Sequence, residues 1–244
     1  MEIGPGIRRL GKGLVNSYLV ETGGEVTIVD AGAPSYWGDL PRELAAMGRT
    51  LEDVRAVVLT HGHSDHIGFA ERIRRERHTP ILVHEIDAAL ARGEVPNPAK
   101  GTGPIKIAPL LEFIVFSATH GLLRIPRIQE VSTFGDGATL DVPGSPRVIL
   151  VPGHTPGSAA LHFPGRDALF VGDAIATHGV TTGIDLPRIA PFSADPVEAL
   201  ASLKRFDGLE AGFVLPGHGQ AWTKGVAAAL AEVRGAFAGA GSTP

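Results

Sequence analysis

The sequence predicts a layered α/β fold. β-rich runs alternate with stretches of helical spacing along most of the chain, the pattern of strands packed beneath helices. The order strand, loop, polar residue recurs. Residues 57–61 (VVLTH), 150–154 (LVPGH) and 214–218 (VLPGH) each end in a histidine, and 27–30 (TIVD) and 169–173 (LFVGD) each end in an aspartate. This echo divides the chain into two similar halves, both offering polar groups at the same kind of strand end.

The elements follow in order. Residues 17–20 and 25–30 read as strands joined at Gly23-Gly24, a natural hairpin turn. A short helix is expected over 39–47, entered near Pro41. The compact apolar run 55–59 reads as a buried strand, and the histidine-rich loop 60–66 follows it. A helix is expected over 67–77, a strand over 80–84 and a helix over 86–92. From 94 to 137 the pattern loosens, because Pro96, Pro98, Gly101, Gly103 and Pro104 interrupt any long element. Within it, 109–118 is strongly apolar and reads either as a helix packed in the core or as a cap over a substrate mouth. The second half adds strands at 147–151, 159–163, 168–171 and 212–215, with a turn at Gly165-Arg166. Helices are expected over 196–206 and 224–237, and a frayed tail over 238–244. The expected organisation is one domain over 1–244 with a loose cap or insert around 94–137.

Composition narrows the chemistry. Of the 244 residues 43% are apolar and 20% charged, ordinary values for a globular chain. The net charge is −4 with no basic stripe, which argues against a nucleic-acid partner. There is no cysteine, so disulfides, thiolate metal sites and cysteine nucleophiles are excluded. Residues 1–13 have no apolar core suited to a signal peptide, and no run reaches the length of a membrane span. The expectation is a cytoplasmic protein without a membrane partner that acts on a small molecule. Its oligomeric state is open.

The strongest local signal is His61-Gly62-His63-Ser64-Asp65-His66. His61 and His63 are two apart, so in extended backbone they point the same way. Asp65 and His66 lie past a bend and face a second point nearby. One loop rarely completes a metal site, since zinc takes about four ligands. His154, Asp173 and His218 share the context such a site needs, each following a strand directly and standing beside glycine.

The ordered series Asp30, His61-x-His63-x-Asp65-His66, His154, Asp173, His218 resembles the motifs of the metallo-β-lactamase-fold hydrolases, from the first hairpin to the last helix. The resemblance implies a four-layer αββα sandwich of two mixed β-sheets flanked by helices. It implies His61, His63 and His154 on a first metal, Asp65, His66 and His218 on a second, and Asp173 bridging them. Asp30 resembles the family aspartate that supports the ligand loop without binding metal. The implied cofactor is two Zn²⁺, with iron or manganese as alternatives. The implied reaction is hydrolysis of an ester, thioester or lactone by a hydroxide shared between the metals, with Asp65 orienting it or passing a proton. The ligand set is glyoxalase II-like, but little chain remains after His218 for a glutathione-binding domain. Two alternatives stay open: a mononuclear iron persulfide dioxygenase, and a β-lactamase-like amide hydrolase. The remaining histidines read differently. His78 is expected at the surface, and His84 and His162 in structural positions. His120, His178 and Phe192 are candidates for substrate contact, with Ile184 and Leu186 beside them.

Overall fold

The computed structural model describes residues 1–100, 103–124 and 127–240. Its strands form two mixed sheets. The first has seven strands in sequential order: β1 (Glu2–Gly4), β2 (Ile7–Leu10), β3 (Ser17–Thr22), β4 (Glu25–Val29), β5 (Val54–Val58), β6 (Ile81–His84) and β7 (Ser132–Phe134). β1 to β4 pair antiparallel, and β4 to β7 pair parallel. The second sheet holds β8 (Arg147–Leu150), β9 (Ala159–Phe163), β10 (Ala168–Gly172) and β11 (Phe213–Pro216) in the order β11-β10-β9-β8. Its β8, β9 and β10 are antiparallel, and β11 joins β10 in parallel.

Alternation along the strands builds three cores and so four layers. Tyr18 and Val20 of β3 face Phe163 and Phe170 of the second sheet, whereas Leu19 faces outward to a helical layer. That layer contains α1 (Leu40–Ala45) and α2 (Ala70–Arg77), which bury Leu40, Leu44 and Ile73 on the first sheet. In β10, Ala168 and Phe170 face the inter-sheet core, while Leu169 and Val171 face a third core. There they meet Leu203 and the helix α6 (Gly225–Ala240) through Val226, Leu230 and Val233. Fully burying one such side chain stabilises by roughly 1.5–3 kcal/mol. The expected αββα sandwich is therefore the observed architecture.

Several boundaries differ from expectation. The helix expected over 67–77 begins at Ala70, because Gly68 and Phe69 donate their N–H groups to Gly32 and Ala31. The 86–92 region is a 3₁₀ turn, Glu85–Asp87, followed by the short α3 (Ala88–Ala91). In the 196–206 region α5 (Pro196–Ser202) gives way to a 3₁₀ turn. Helix α6 extends into the expected tail as far as Ala240, while 241–244 lie outside the described residues, as does Gly101. Strands β1, β2 and β7 are additional to expectation.

The 109–118 segment is helical, as α4 (Ile107–Thr119), but the core reading is corrected: none of its residues is buried. Ile107 is 84% exposed and Leu111 56% exposed, while Phe113 and Phe116 turn inward. The helix is held above the sheets at its two ends, by Lys106 N–H to Thr181 O (2.8 Å) and Ser35 N–H to His120 O (3.2 Å).

Candidate metal centre

Five carboxyl strand ends meet at one edge of the sandwich. The end of β4 carries Asp30, β5 leads into 61–66, β8 into His154, β10 into Asp173 and β11 into His218. Backbone bonds stitch the two sheets together there. Asn16 N–H donates to Gly217 O and Ala159 N–H to Thr60 O (2.8 and 2.9 Å). Three groups of donor atoms result: His61, His63 and His154; Asp65, His66 and His218; and His61, His66 and Asp173. Within each group the donor atoms lie within 4.8 Å of one another. Asp173 stands between the first two, its carboxylate 3.4 Å from His154 Nε2, 3.4 Å from His66 Nε2 and 3.1 Å from His218 Nε2. His154 Nε2 also faces His63 Nδ1 at 2.9 Å.

The far nitrogen of most of these imidazoles is already committed, which turns the near one inward. Thr60 Oγ1 donates to Asp30 (2.8 Å) and so accepts from His61 Nδ1 (3.1 Å). Asp30 accepts from His66 Nδ1 (2.9 Å) and from Thr60 N–H (2.7 Å). Its backbone has φ +58°, a left-handed conformation that aspartate tolerates better than most residues. Ser193 Oγ donates to Ala190 O and accepts from His154 Nδ1 (3.1 Å). His218 Nδ1 donates to Leu14 O.

This donor set fits a cation. His61 Nε2, His66 Nε2 and Asp173 Oδ1 are buried and have no hydrogen-bond partner. A buried polar atom left that way costs about 1–3 kcal/mol, and cations held among these donors would satisfy all three. Electrostatics divide the imidazoles into two kinds. Burial, joined by neighbouring imidazoles, holds His61 well below its ordinary pKa, and burial depresses His154 to about 3. Burial opposes charge on His218 as well, but Asp173 and Asp65 together outweigh it and lift that imidazole to about 10. Burial likewise disfavours the Asp173 carboxylate, yet His218 and His66 hold its pKa well below the usual range. His61 and His154 are thus neutral and Asp173 ionised, the ligand forms of such side chains, whereas His218 and His66, raised by the carboxylates beside them, hold protons that a bound cation would displace.

Comparison with known proteins agrees with this geometry. Residues 10–218 match the family model described as the metallo-beta-lactamase superfamily. The chain belongs to the metallo-β-lactamase superfamily. Within it, the chain is 27% identical over 234 residues to the Bacillus subtilis strain 168 protein named probable metallo-hydrolase YflN, covering 89% of this chain and 85% of that protein. It is 27% identical over 210 residues to a protein of Emericella nidulans named thioesterase pkgB, covering 84% of this chain but 46% of that one. Among solved structures, TTHA1623 in a di-iron-bound form is similar at TM-score 0.62 and 29% identity, covering 91% of this chain and 96% of that chain. As a member of this superfamily the chain is a metal-dependent hydrolase.

The other expected contacts separate. His120 caps α4, stacks on Phe116 (4.0 Å between centroids) and bonds Phe116 O through Nδ1, outside the donor groups. His178 Nδ1 pairs with Asp185 at 2.7 Å, and its backbone N–H meets His218 O. Phe192 and Ile184 line an apolar groove beside Ser193. His84 accepts from Ile86 N–H, away from the donors.

Two supporting residues escape a reading of spacing. Ser193 is one. The other is Asp87, 1% exposed, whose carboxylate accepts from Gly62 N–H (2.9 Å), Gly157 N–H (2.7 Å) and Thr155 Oγ1 (2.7 Å). It joins the 61–66 loop to the His154 loop. The available signal is an aspartate opening the apolar run Ala-Ala-Leu-Ala. Gly62 belongs to this arrangement, since a Cβ there would stand 2.7 Å from Ala91 N.

Proposed function

We propose that this protein is a binuclear hydrolase of an ester, thioester or lactone. The carrying observation is the pair of donor triads with Asp173 between them. His61, His63 and His154 would hold one cation, Asp65, His66 and His218 the other, and Asp173 would bridge. Bound there, such a pair supplies a nucleophile from water near neutral pH and polarises a substrate carbonyl. Zinc is the proposed metal. The nitrogen-rich donor set suits iron too, and the di-iron relative supports the count of two. The thioesterase relative supports thioesters among the bonds cleaved.

The chain's own residues orient and exclude. Asp30, Thr60, Ser193 and the Leu14 carbonyl fix ligand tautomers, so the donors need no reorganisation when a substrate arrives. Asp65 is the more open of the two proposed ligand carboxylates, its side chain 16% exposed, and would be the one to accept a hydrogen bond from water entering the site. Phe113, with its ring 6.1 Å from that of His218, places an apolar wall over the donors and limits bulk water.

The test is metal analysis with a panel of esters, thioesters and lactones, for the wild type and Asp173→Ala. The expected result is two metal ions per wild-type chain, fewer in the variant, and a loss of hydrolysis of at least a hundredfold. Unchanged metal content and turnover in Asp173→Ala would refute the two-metal reading.

A further inference from the structure

A groove of about 340 Å³ runs beside the metal centre, lined mainly by apolar groups including Ile184, Ile189, Pro191, Phe192, Val233 and Phe237. Its size suits a small-molecule site. It begins at Ser193, whose hydroxyl is bonded to His154, and it ends along α6. The cap helix runs between groove and metal centre. Lys106, at the start of α4, lines the groove, while Phe113 lies against His218. They are seven residue steps apart, about 10 Å at 1.5 Å per residue.

Two features mark the groove as more than a packing gap. Phe192 sits at φ +61°, a left-handed conformation that a bulky aromatic residue rarely holds unless its surroundings impose it. Arg188 also lines the groove. Its backbone is pinned to Ala176, three residues beyond Asp173, by a pair of 2.9 Å hydrogen bonds. Its Nε is buried without a partner. Among the described residues neither Arg188 nor Lys106 forms an ion pair within 4.0 Å. Glu232, which shares an outer cleft with Arg188, lies beyond that distance. An apolar trough with an unpartnered guanidinium nitrogen and an ammonium on its rim is complementary to an apolar body carrying an anion.

We propose that this groove binds the acyl part of the substrate, an apolar chain that ends in a carboxylate held by Arg188. The assignment rests on the hydrolase reading and adds the substrate class. A chain that follows α4 from Phe113 to Lys106 covers about 10 Å, roughly eight bonds of extended chain at the reach of a polypeptide backbone. Each methylene that then enters the groove adds about fourfold in kcat/KM.

The experiment uses the metal-loaded protein and p-nitrophenyl esters of acetic, butanoic, octanoic and decanoic acids, together with the decanoyl ester bearing a terminal carboxylate. Wild type, Arg188→Gln and Ala236→Trp are compared. Ala236 lines the groove from α6, and a tryptophan there fills it. The expected decanoyl-to-acetyl ratio of kcat/KM is at least tenfold in wild type and at least tenfold smaller in Ala236→Trp. The terminal carboxylate raises kcat/KM further in wild type but not in Arg188→Gln. Calorimetric binding of the half-amide of decanedioic acid gives a second readout, and both variants should weaken it at least tenfold. Turnover that is independent of chain length, with no binding of the half-amide, overturns the groove and leaves the hydrolase reading standing. Binding that the variants abolish, with no ester hydrolysed, supports the groove and removes esters from the bonds proposed for this hydrolase. Equal binding and equal ratios in all three proteins overturn the groove.

Discussion

Asp87→Asn tests how the ligand loops are held. In the wild type three donors converge on one buried carboxylate, at 2.7, 2.7 and 2.9 Å. Asparagine keeps the shape and one acceptor oxygen. If that oxygen stays with Gly157 N–H, the new amide N–H₂ faces Gly62 N–H, donor against donor. The Thr155 hydroxyl can rotate and accept instead. One buried N–H is then orphaned and one charge-assisted bond lost, a cost of about 2–4 kcal/mol to the fold. The displaced group is Gly62, between His61 and His63, so affinity for a cation at His61, His63 and His154 should fall about 10- to 100-fold. Competition with a chelator measures the affinity, and urea unfolding of chelated protein measures the fold. A variant with wild-type metal affinity would refute the assignment of Asp87 to the ligand loops, even if its stability fell.

Other outcomes follow from the same geometry. Ser193→Ala removes the acceptor of His154 Nδ1 and should cost about 1 kcal/mol and up to tenfold in metal affinity, read by the same competition assay. His84→Ala should keep the full metal content while lowering the unfolding midpoint, because His84 is buried and bonded only locally; a lost ion would show the donor set to be misassigned. Glu43 gives a pH signature. Burial works against its charge, but the N-terminal ammonium and Arg8, each at 2.8 Å, lower its pKa to about 2. A depressed carboxylate pKa stabilises the fold above the unfolded value of about 4.5 and loses that contribution as pH falls toward 2. Glu43→Gln should therefore be about 1–2 kcal/mol less stable at pH 7, allowing for solvent screening, with a smaller difference at pH 3. An equal difference at both pH values in urea titrations would contradict this.

Much of the fold could be read from the chain because burial leaves periodic marks. β5 and β10 are apolar on both faces, and each runs directly into a loop rich in glycine, histidine or aspartate. Strand β2 lacked such a mark because Arg8 and Arg9 occupy its centre; Arg9 is nonetheless buried, its guanidinium bonded to Gly219 O and Gln220 Oε1. Strands β1 and β7 have three residues each, too few for a period to show. The donors were legible because each follows a strand. Asp87 and Ser193 were not, since their partners are backbone N–H groups and a ring nitrogen supplied by distant loops. Helix α4 read equally well as core or as cap, because Leu111 and Phe113 are alike as letters, although one faces solvent and the other His218.

The two sheets contribute unequally to each donor triad. His61, His63, Asp65 and His66 extend from the first sheet, while His154, Asp173 and His218 extend from the second. An ion held by either triad would therefore act as a rivet between halves that otherwise adhere through side-chain packing and a few backbone bonds. Occupancy and docking of the halves become one equilibrium, in which each raises the affinity of the other. A chain cleaved by protease within 94–130 would have two pieces joined by the β6–β7 ladder and the inter-sheet core, and it should unfold at a higher urea concentration while loaded than once its ions were stripped.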